Sequence, residues 1–259
     1  LDWDLPPYPP SPRMEDPSRP VHVQVDYGDL SHNGETRQPT PQEAVEFWSQ
    51  RLRNNSEDVH AYHHRALAYE KLGERSKAVE DFTAAIQRQP DNAHFYECRG
   101  RNHLALKDRS QAAADFEKAM ELKPDQAHLC NDLAWLLVAG PKELHNGTKA
   151  VPYAERAVKL APKNWWYQNT LGVALYRVNR YQEAITPLEA SLKGNSGKTD
   201  AFDLFFLALC HAKLGDAAKA KDCYDQAVKW VDGQKNLPAA WIEELKAFRA
   251  EAEEVLRSP

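Results

Sequence analysis

The sequence predicts an all-α repeat protein, and three observations carry that expectation. The first is a unit of 34 residues written twice without a gap, VHAYHHRALAYEKLGERSKAVEDFTAAIQRQPDN (59–92) and AHFYECRGRNHLALKDRSQAAADFEKAMELKPDQ (93–126). Stepping by 34 pairs Tyr62 with Tyr96, Ala66 with Gly100, Ala78 with Ala112, Phe82 with Phe116, Ala85 with Ala119 and Pro90 with Pro124. A fixed period in this range marks a stacked architecture, in which each unit buries its apolar face against its neighbours. The second observation is that the small residues go on recurring downstream, as Ala134, Gly172 and Ala208 in one row and Ala150, Ala184 and Ala220 in the other. Small side chains let helix axes approach to the short end of the roughly 8–10 Å range. The third is an amphipathic helix pattern at either end of the periodic region, at 41–55 and from Pro238 onward.

Residues 59–126 resemble the tetratricopeptide repeat closely: an aromatic near the start of helix A, a small residue four on, then Ala, an aromatic, Ala and Pro through helix B. The resemblance implies a right-handed superhelical solenoid of five helix-pair repeats, 59–92, 93–126, 127–164, 165–200 and 201–234. Repeat 3 keeps Leu133, Ala134, Ala150, Ala154, Ala157 and Pro162 but has grown to 38 residues, with the excess in PKELHNG (141–147). A turn is where insertions are tolerated best. Repeat 4 keeps Leu171, Gly172, Tyr181 and Ala184, but Ser191 stands in place of Ala and the terminal Pro is missing. GNSGK (194–198) therefore predicts a longer, looser exit, and it is not a P-loop, since no strand precedes it. Repeat 5 keeps Ala208, Gly215, Ala220, Tyr224 and Ala227. The stretch 129–256 also resembles the C-terminal arrays of large bacterial multidomain proteins, kinase- or WD40-linked, through Asn131, Leu133, Ala134, Trp135, Asn169, Leu171, Gly172, Phe202 and Phe205.

The flanks follow their own logic. Thr40-Pro41-Gln42-Glu43 fits a capping box with Pro at the first helical position. Ala44, Val45, Phe47, Trp48 and Leu52 then form one face, so 40–58 is expected to be a lone helix B covering the N-terminal end of the array. Residues 235–259 are expected to form a capping helix. Its stripe is Trp241, Ile242, Leu245, Phe248, Ala252, Val255 and Leu256, and its wet face is Glu243, Glu244, Lys246, Arg249, Glu251, Glu253 and Glu254. Residues 1–39 differ in composition, holding eight of the 17 prolines and a strand-like alternation at Val21, Val23, Val25 and Tyr27. Two readings of this leader stand: a linker from an upstream domain, or an arm docked in cis on the solenoid through Trp3, Tyr8 and the valines. The chain opens at Leu1 without an initiator Met or a signal peptide, which predicts an excised or processed piece of a longer protein.

Composition excludes several classes of function. A net charge of −5 argues against nucleic-acid binding, which favours a basic face. No apolar run approaches the length of a membrane span, so a cytoplasmic location is expected. Cys98, Cys130, Cys210 and Cys223 form no CxxC pair and read as small buried thiols. His60, His63 and His64 lie at i, i+3, i+4 and could meet a metal, but solvated helix surface is the simpler reading, and no cofactor is expected. No residue set fits a nucleophile–base frame, so no catalytic residue and no enzyme activity are assigned to this chain.

The family resemblance further implies that helix A positions 2, 5, 9 and 12 line a concave groove. These are His60, His63, Leu67 and Glu70; His94, Glu97, Arg101 and Leu104; His128, Asn131, Trp135 and Val138; Trp166, Asn169, Val173 and Tyr176; and Phe202, Phe205, Leu209 and Ala212. The groove passes from polar and His-rich to aromatic. The expected peptide-binding residues are Arg101, Asn131, Trp135, Trp166, Asn169, Tyr176, Phe202 and Phe205. The aromatics are expected to be exposed anchors, because Leu133, Leu171 and Leu207 already supply a packing face. Asn131 and Asn169 would clamp a ligand backbone, an amide offering both donor and acceptor, or else bond within the array. The expected function is an interaction scaffold that captures a protein or peptide segment. The rival reading is the C-terminal part of a larger enzyme or signalling protein, in which the array positions substrates.

Overall fold

The computed structural model describes residues 39–139 and 145–257, with backbone only at Ala239 and Ala240. The leader's proposed arm and most of the 141–147 insertion lie outside the described residues. Twelve helices are present among those described: α1 (Pro41–Asn54), α2 (Val59–Lys71), α3 (Arg75–Arg88), α4 (Ala93–Ala105), α5 (Arg109–Leu122), α6 (Ala127–Val138), α7 (Gly147–Leu160), α8 (Trp165–Arg177), α9 (Tyr181–Gly194), α10 (Asp200–Lys213), α11 (Ala217–Asp232) and α12 (Ala239–Arg257). No strand occurs among the described residues. Five A/B pairs form, α2 with α3 through α10 with α11, preceded by the lone α1 and followed by α12. The chain divides after Leu122 into an N-terminal unit, α1–α5, and a C-terminal unit, α6–α12.

The period is written into the ends of the helices. Thr40 closes its capping box with Glu43, whose carboxylate accepts from the Thr40 backbone N–H at 2.8 Å. Asp58, Asn92 and Asn164 cap α2, α4 and α8 by accepting a backbone N–H at 3.0–3.1 Å. Four A helices, α2, α4, α8 and α10, end in a residue of left-handed conformation, Gly73 (φ 76°), Lys107 (φ 65°), Asn179 (φ 62°) and Gly215 (φ 82°). The next N–H then reaches back into helix A, as from Asp108 to the His103 carbonyl at 2.8 Å and from Asp216 to His211 at 2.9 Å. That pairing satisfies a terminal carbonyl and turns the chain into helix B.

The small residues sit where the pattern places them. Ala66, Ala134 and Ala208 of the A helices are fully buried, as are Ala78, Ala112, Ala150, Ala184 and Ala220 of the B helices. At Gly172 a Cβ would lie 2.4 Å from Leu188 Cγ, and at Gly100 it would lie 2.8 Å from Phe116 Cε1. These two positions hold helix pairs at a separation no larger residue allows.

One structural repeat is not in the consensus pattern. In the N-terminal unit Arg65 of α2 makes a bidentate pair with Asp81 of α3 (2.6 and 2.8 Å) and donates to Ser49 of α1 at 3.2 Å. Thirty-four residues on, Arg99 does the same with Asp115 (2.7 and 2.9 Å) and Thr83 at 3.1 Å. Each arginine therefore clasps three successive helices, a B helix and the following A/B pair. The carboxylates are nearly buried, and the planar guanidinium fork suits such a site where lysine would not. Ser49 lies 34 residues before Thr83 and plays the same part toward the following arginine.

The exit of repeat 4 differs from expectation. The segment after α9 is not loose: Asn195 is buried, its amide oxygen accepts from Gly197 N–H at 2.9 Å, and Trp230 Nε1 donates to the Gly197 carbonyl at 2.9 Å. Side-chain hydrogen bonds here take over the role of the missing proline.

Candidate functional site

In the C-terminal unit the A helices α6, α8 and α10 lie side by side, and α12 folds onto them, chiefly onto α10. Phe248 of α12 packs edge-on to Phe206 (ring centroids 4.8 Å apart), Phe202 (6.2 Å) and Trp135 (6.3 Å). Trp241 meets Phe202 at 5.3 Å. The rings continue beneath, from Trp166 to Phe202 at 6.1 Å and to Trp135 at 6.2 Å. Leu245, Phe248 and Ala252 are the buried face of α12. A bidentate ion pair closes the contact: Arg177, the last residue of α8, donates to both carboxylate oxygens of Glu251, one bond at 3.0 Å. Arg177 also donates to the Val138 carbonyl at the end of α6 and lies over the Phe206 ring at 5.2 Å. One arginine thus reaches α6, α10 and α12 from α8.

This arrangement corrects the expectation of exposed aromatics. Trp135, Trp166, Tyr176, Phe202 and Phe205 are all buried, Phe205 completely. Two causes act. Helix α12 lies on the A-helix face and covers Trp135 and Phe202, and Phe205 instead packs on Tyr224 of its own B helix at 6.0 Å. Tyr176 lies between Tyr181 and Phe206, both at 5.5 Å, where burial and the Glu251 carboxylate push its phenol pKa up. Glu251, assigned to the wet face of the last helix, is a partner of Arg177 with 11 % of its side chain exposed. The structure therefore brings Trp135, Trp166, Phe202 and Tyr176 into one connected ring network and sets Phe205 apart from it.

The two asparagines at equivalent positions do different things. Asn169 donates through Nδ2 to Asp203 Oδ1 at 2.8 Å, while its Oδ1 has no hydrogen-bond partner among the described residues. Asn131 is 1 % exposed, and neither amide atom has a hydrogen-bond partner among the described residues. Asp203 also accepts from Ser191 at 3.0 Å and Asn195 at 3.1 Å, so four polar side chains form a buried knot joining α8, α9 and α10. Burial pushes the Asp203 carboxyl up to about 7, against the three donors that hold it down. Ser191 was visible as a departure from Ala; the signal that links it to Asp203 is the joint loss of the consensus Ala and Pro in one repeat.

Arg101 belongs to the N-terminal unit, where it pairs with Glu97 one turn back at 2.5 Å. The neighbouring A-helix positions are polar and mutually engaged. His63 Nε2 lies 3.2 Å from His94 Nε2, and Asn102 donates to Glu70 at 2.5 Å. His64 stacks on Trp48 at 4.8 Å, and burial lowers its pKa. No group of three or more His, Cys, Asp or Glu side chains placed to hold a metal occurs among the described residues. Among them, too, no helix is long and apolar enough to cross a membrane. Cys98, Cys130 and Cys210 are buried thiols and Cys223 is half-buried, with burial pushing Cys210 up to about 12.

Models of the tetratricopeptide repeat match residues 59–92, 93–126, 143–198 and 204–230. The chain belongs to the tetratricopeptide repeat family. It is a protein-interaction scaffold of all-α helix-pair repeats. Among solved structures it is similar to YrrB, described as a tetratricopeptide repeat protein with an unusual peptide-binding site, at 20 % identity and a TM-score of 0.65, covering 81 % of this chain and 99 % of that one. It is similar to MamA of Desulfovibrio magneticus RS-1 at 15 % identity and a TM-score of 0.61, covering 69 % and 97 %. It is also similar to PilF of Pseudomonas aeruginosa at 17 % identity and a TM-score of 0.59, covering 82 % and 90 %. At these identities the likeness concerns the fold alone. No curated protein matches the chain at a significant level.

Proposed function

We propose that this tetratricopeptide repeat chain captures a helical segment of a partner protein on the face formed by α6, α8 and α10, and performs no catalysis itself. One observation supports this above the others: an amphipathic helix, α12, already lies on that face with Phe248 among Phe206, Phe202 and Trp135. A surface that packs the apolar stripe of one helix and answers its carboxylate with Arg177 is built for the helix-in-groove mode of recognition. Trp135, Trp166, Phe202 and Arg177 are the anchors, aromatic and arginine side chains being the usual carriers of interface energy. Asn131, with an amide unpaired among the described residues, is a polar group available to meet a ligand. The test is a displayed-peptide selection on the full chain, followed by amide exchange with and without the selected peptide. Protection gathered on α6, α8 and α10 is expected. Protection confined to the B helices α7, α9 and α11 would overturn the reading.

A further inference from the structure

From that reading, on which the following rests, we infer that α12 is a displaceable occupant of the A-helix face, and that the partner is an amphipathic helix repeating the α12 pattern. The pattern is an aromatic, then Leu at i+4, Phe at i+7 and an acid at i+10, as in Trp241, Leu245, Phe248 and Glu251. Four features point this way. Helix α12 is not stacked as the next member of the array: it packs far more on α10 than on α11 and reaches across to Trp135 of α6 and Arg177 of α8. Its hold is narrow, with Leu245, Phe248 and Ala252 buried while Ile242 of the same stripe stays 39 % exposed. The connection behind it, from Asp232 to Asn236, is exposed throughout, so the helix can leave without disturbing buried backbone. The face beneath also holds unanswered polar groups, since Trp166 Nε1 and both amide atoms of Asn131 lack hydrogen-bond partners among the described residues. A partner helix able to answer these groups gains over α12 on the same apolar contacts.

The arrangement has a quantitative consequence. If the open state of the full chain is populated about a tenth of the time or less, a competing helix binds about tenfold or more weakly than it does to a chain whose α12 is loosened. The probe is a labelled synthetic peptide of residues 237–257, titrated into the full chain and into its Phe248→Asp variant, with amide exchange run in parallel. The expected result is at least about tenfold tighter binding to Phe248→Asp, with residues 239–257 exchanging faster than α8 and α10 in the unmodified chain. An Arg177→Glu chain carrying Phe248→Asp is expected to lose the peptide and to regain it when the peptide carries Glu251→Arg. That exchange of charges reports on the docked register, and a merely destabilised fold would not reproduce it. If α12 exchanges only together with α10 and the selected peptides bind with α12 in place, the displacement idea falls while the capture reading stands. If Phe248→Asp releases α12, by exchange, and the exposed face binds neither the 237–257 peptide nor its charge-swapped form, both fall.

Discussion

Two single residues test how tightly this packing is set. At Gly172 a methyl group would meet Leu188 at 2.4 and 2.6 Å, and Leu188 is fully buried with nowhere to move. Gly→Ala in a helix ordinarily gains about 0.5–1 kcal/mol. Here overpacking of about 1–3 kcal/mol is expected to win, so Gly172→Ala should lower the urea midpoint. Asp203 makes a prediction about pH. Its folded pKa is raised from 3.8 to about 7, so the stability it supports is fully present below about 4 and is lost as pH rises through about 7. The loss is at most about 4 kcal/mol at 1.36 kcal/mol per pKa unit, for a group buried enough that screening takes little from it. Asp203→Asn should flatten that fall, so that the variant gains on the unmodified chain between pH 4.5 and pH 8 in thermal unfolding. A constant offset across this range would refute the assignment.

Among the elements, the A-to-B turns show what the pattern could and could not reveal. Gly73 and Gly215 announce their left-handed turns, whereas Lys107 holds φ 65° with a side chain that disfavours it. Lys107→Gly is expected to stabilise the α4–α5 turn by about 0.5–1 kcal/mol, the cost of a non-glycine residue there, outweighing the added chain entropy; a lower thermal midpoint would count against this. The helix pairs and their register were legible because Ala78, Phe82 and Ala85 recur 34 residues on as Ala112, Phe116 and Ala119. The Arg65–Asp81–Ser49 clasp was equally periodic, yet it escaped notice because charged residues at non-consensus positions read as solvated surface. The placement of α12 was legible only in part. Its stripe identifies Leu245 and Phe248 as buried, but the tertiary path that carries them to Trp135 and Phe202 leaves no trace in local periodicity. That is why the aromatics read as exposed: a row of rings on one helix face looks the same whether solvent or another helix lies above it.

Over the whole molecule, burial is uneven among equivalent helices. All ten residues from Ala201 to Cys210 in α10 are buried, while α2 buries only Ala61, Ala66 and Ala68. Helix α10 is covered by α8, α9, α11 and α12, whereas α2 is covered by α1 and α3 and meets α4 through side chains such as His63 and Glu70. Local stability follows such coverage. Amide exchange of the full chain is therefore expected to be slowest in α10 and markedly faster in α2, despite their identical place in the repeat. Equal protection in both would show that the repeat itself, rather than its neighbours, sets stability.

The clasps carry a further consequence, in mechanics. Ser49 gives Arg65 one neutral hydrogen bond, while Asp81 gives it two charge-assisted ones. Pulled from its N-terminus, the chain should therefore yield first between α1 and α2, with the arginine staying on its carboxylate. The half-repeat would peel away at low force, and the α2–α3 and α4–α5 pairs would each resist as a latched whole, so that tension would release the N-terminal unit in steps rather than stretch it like a spring.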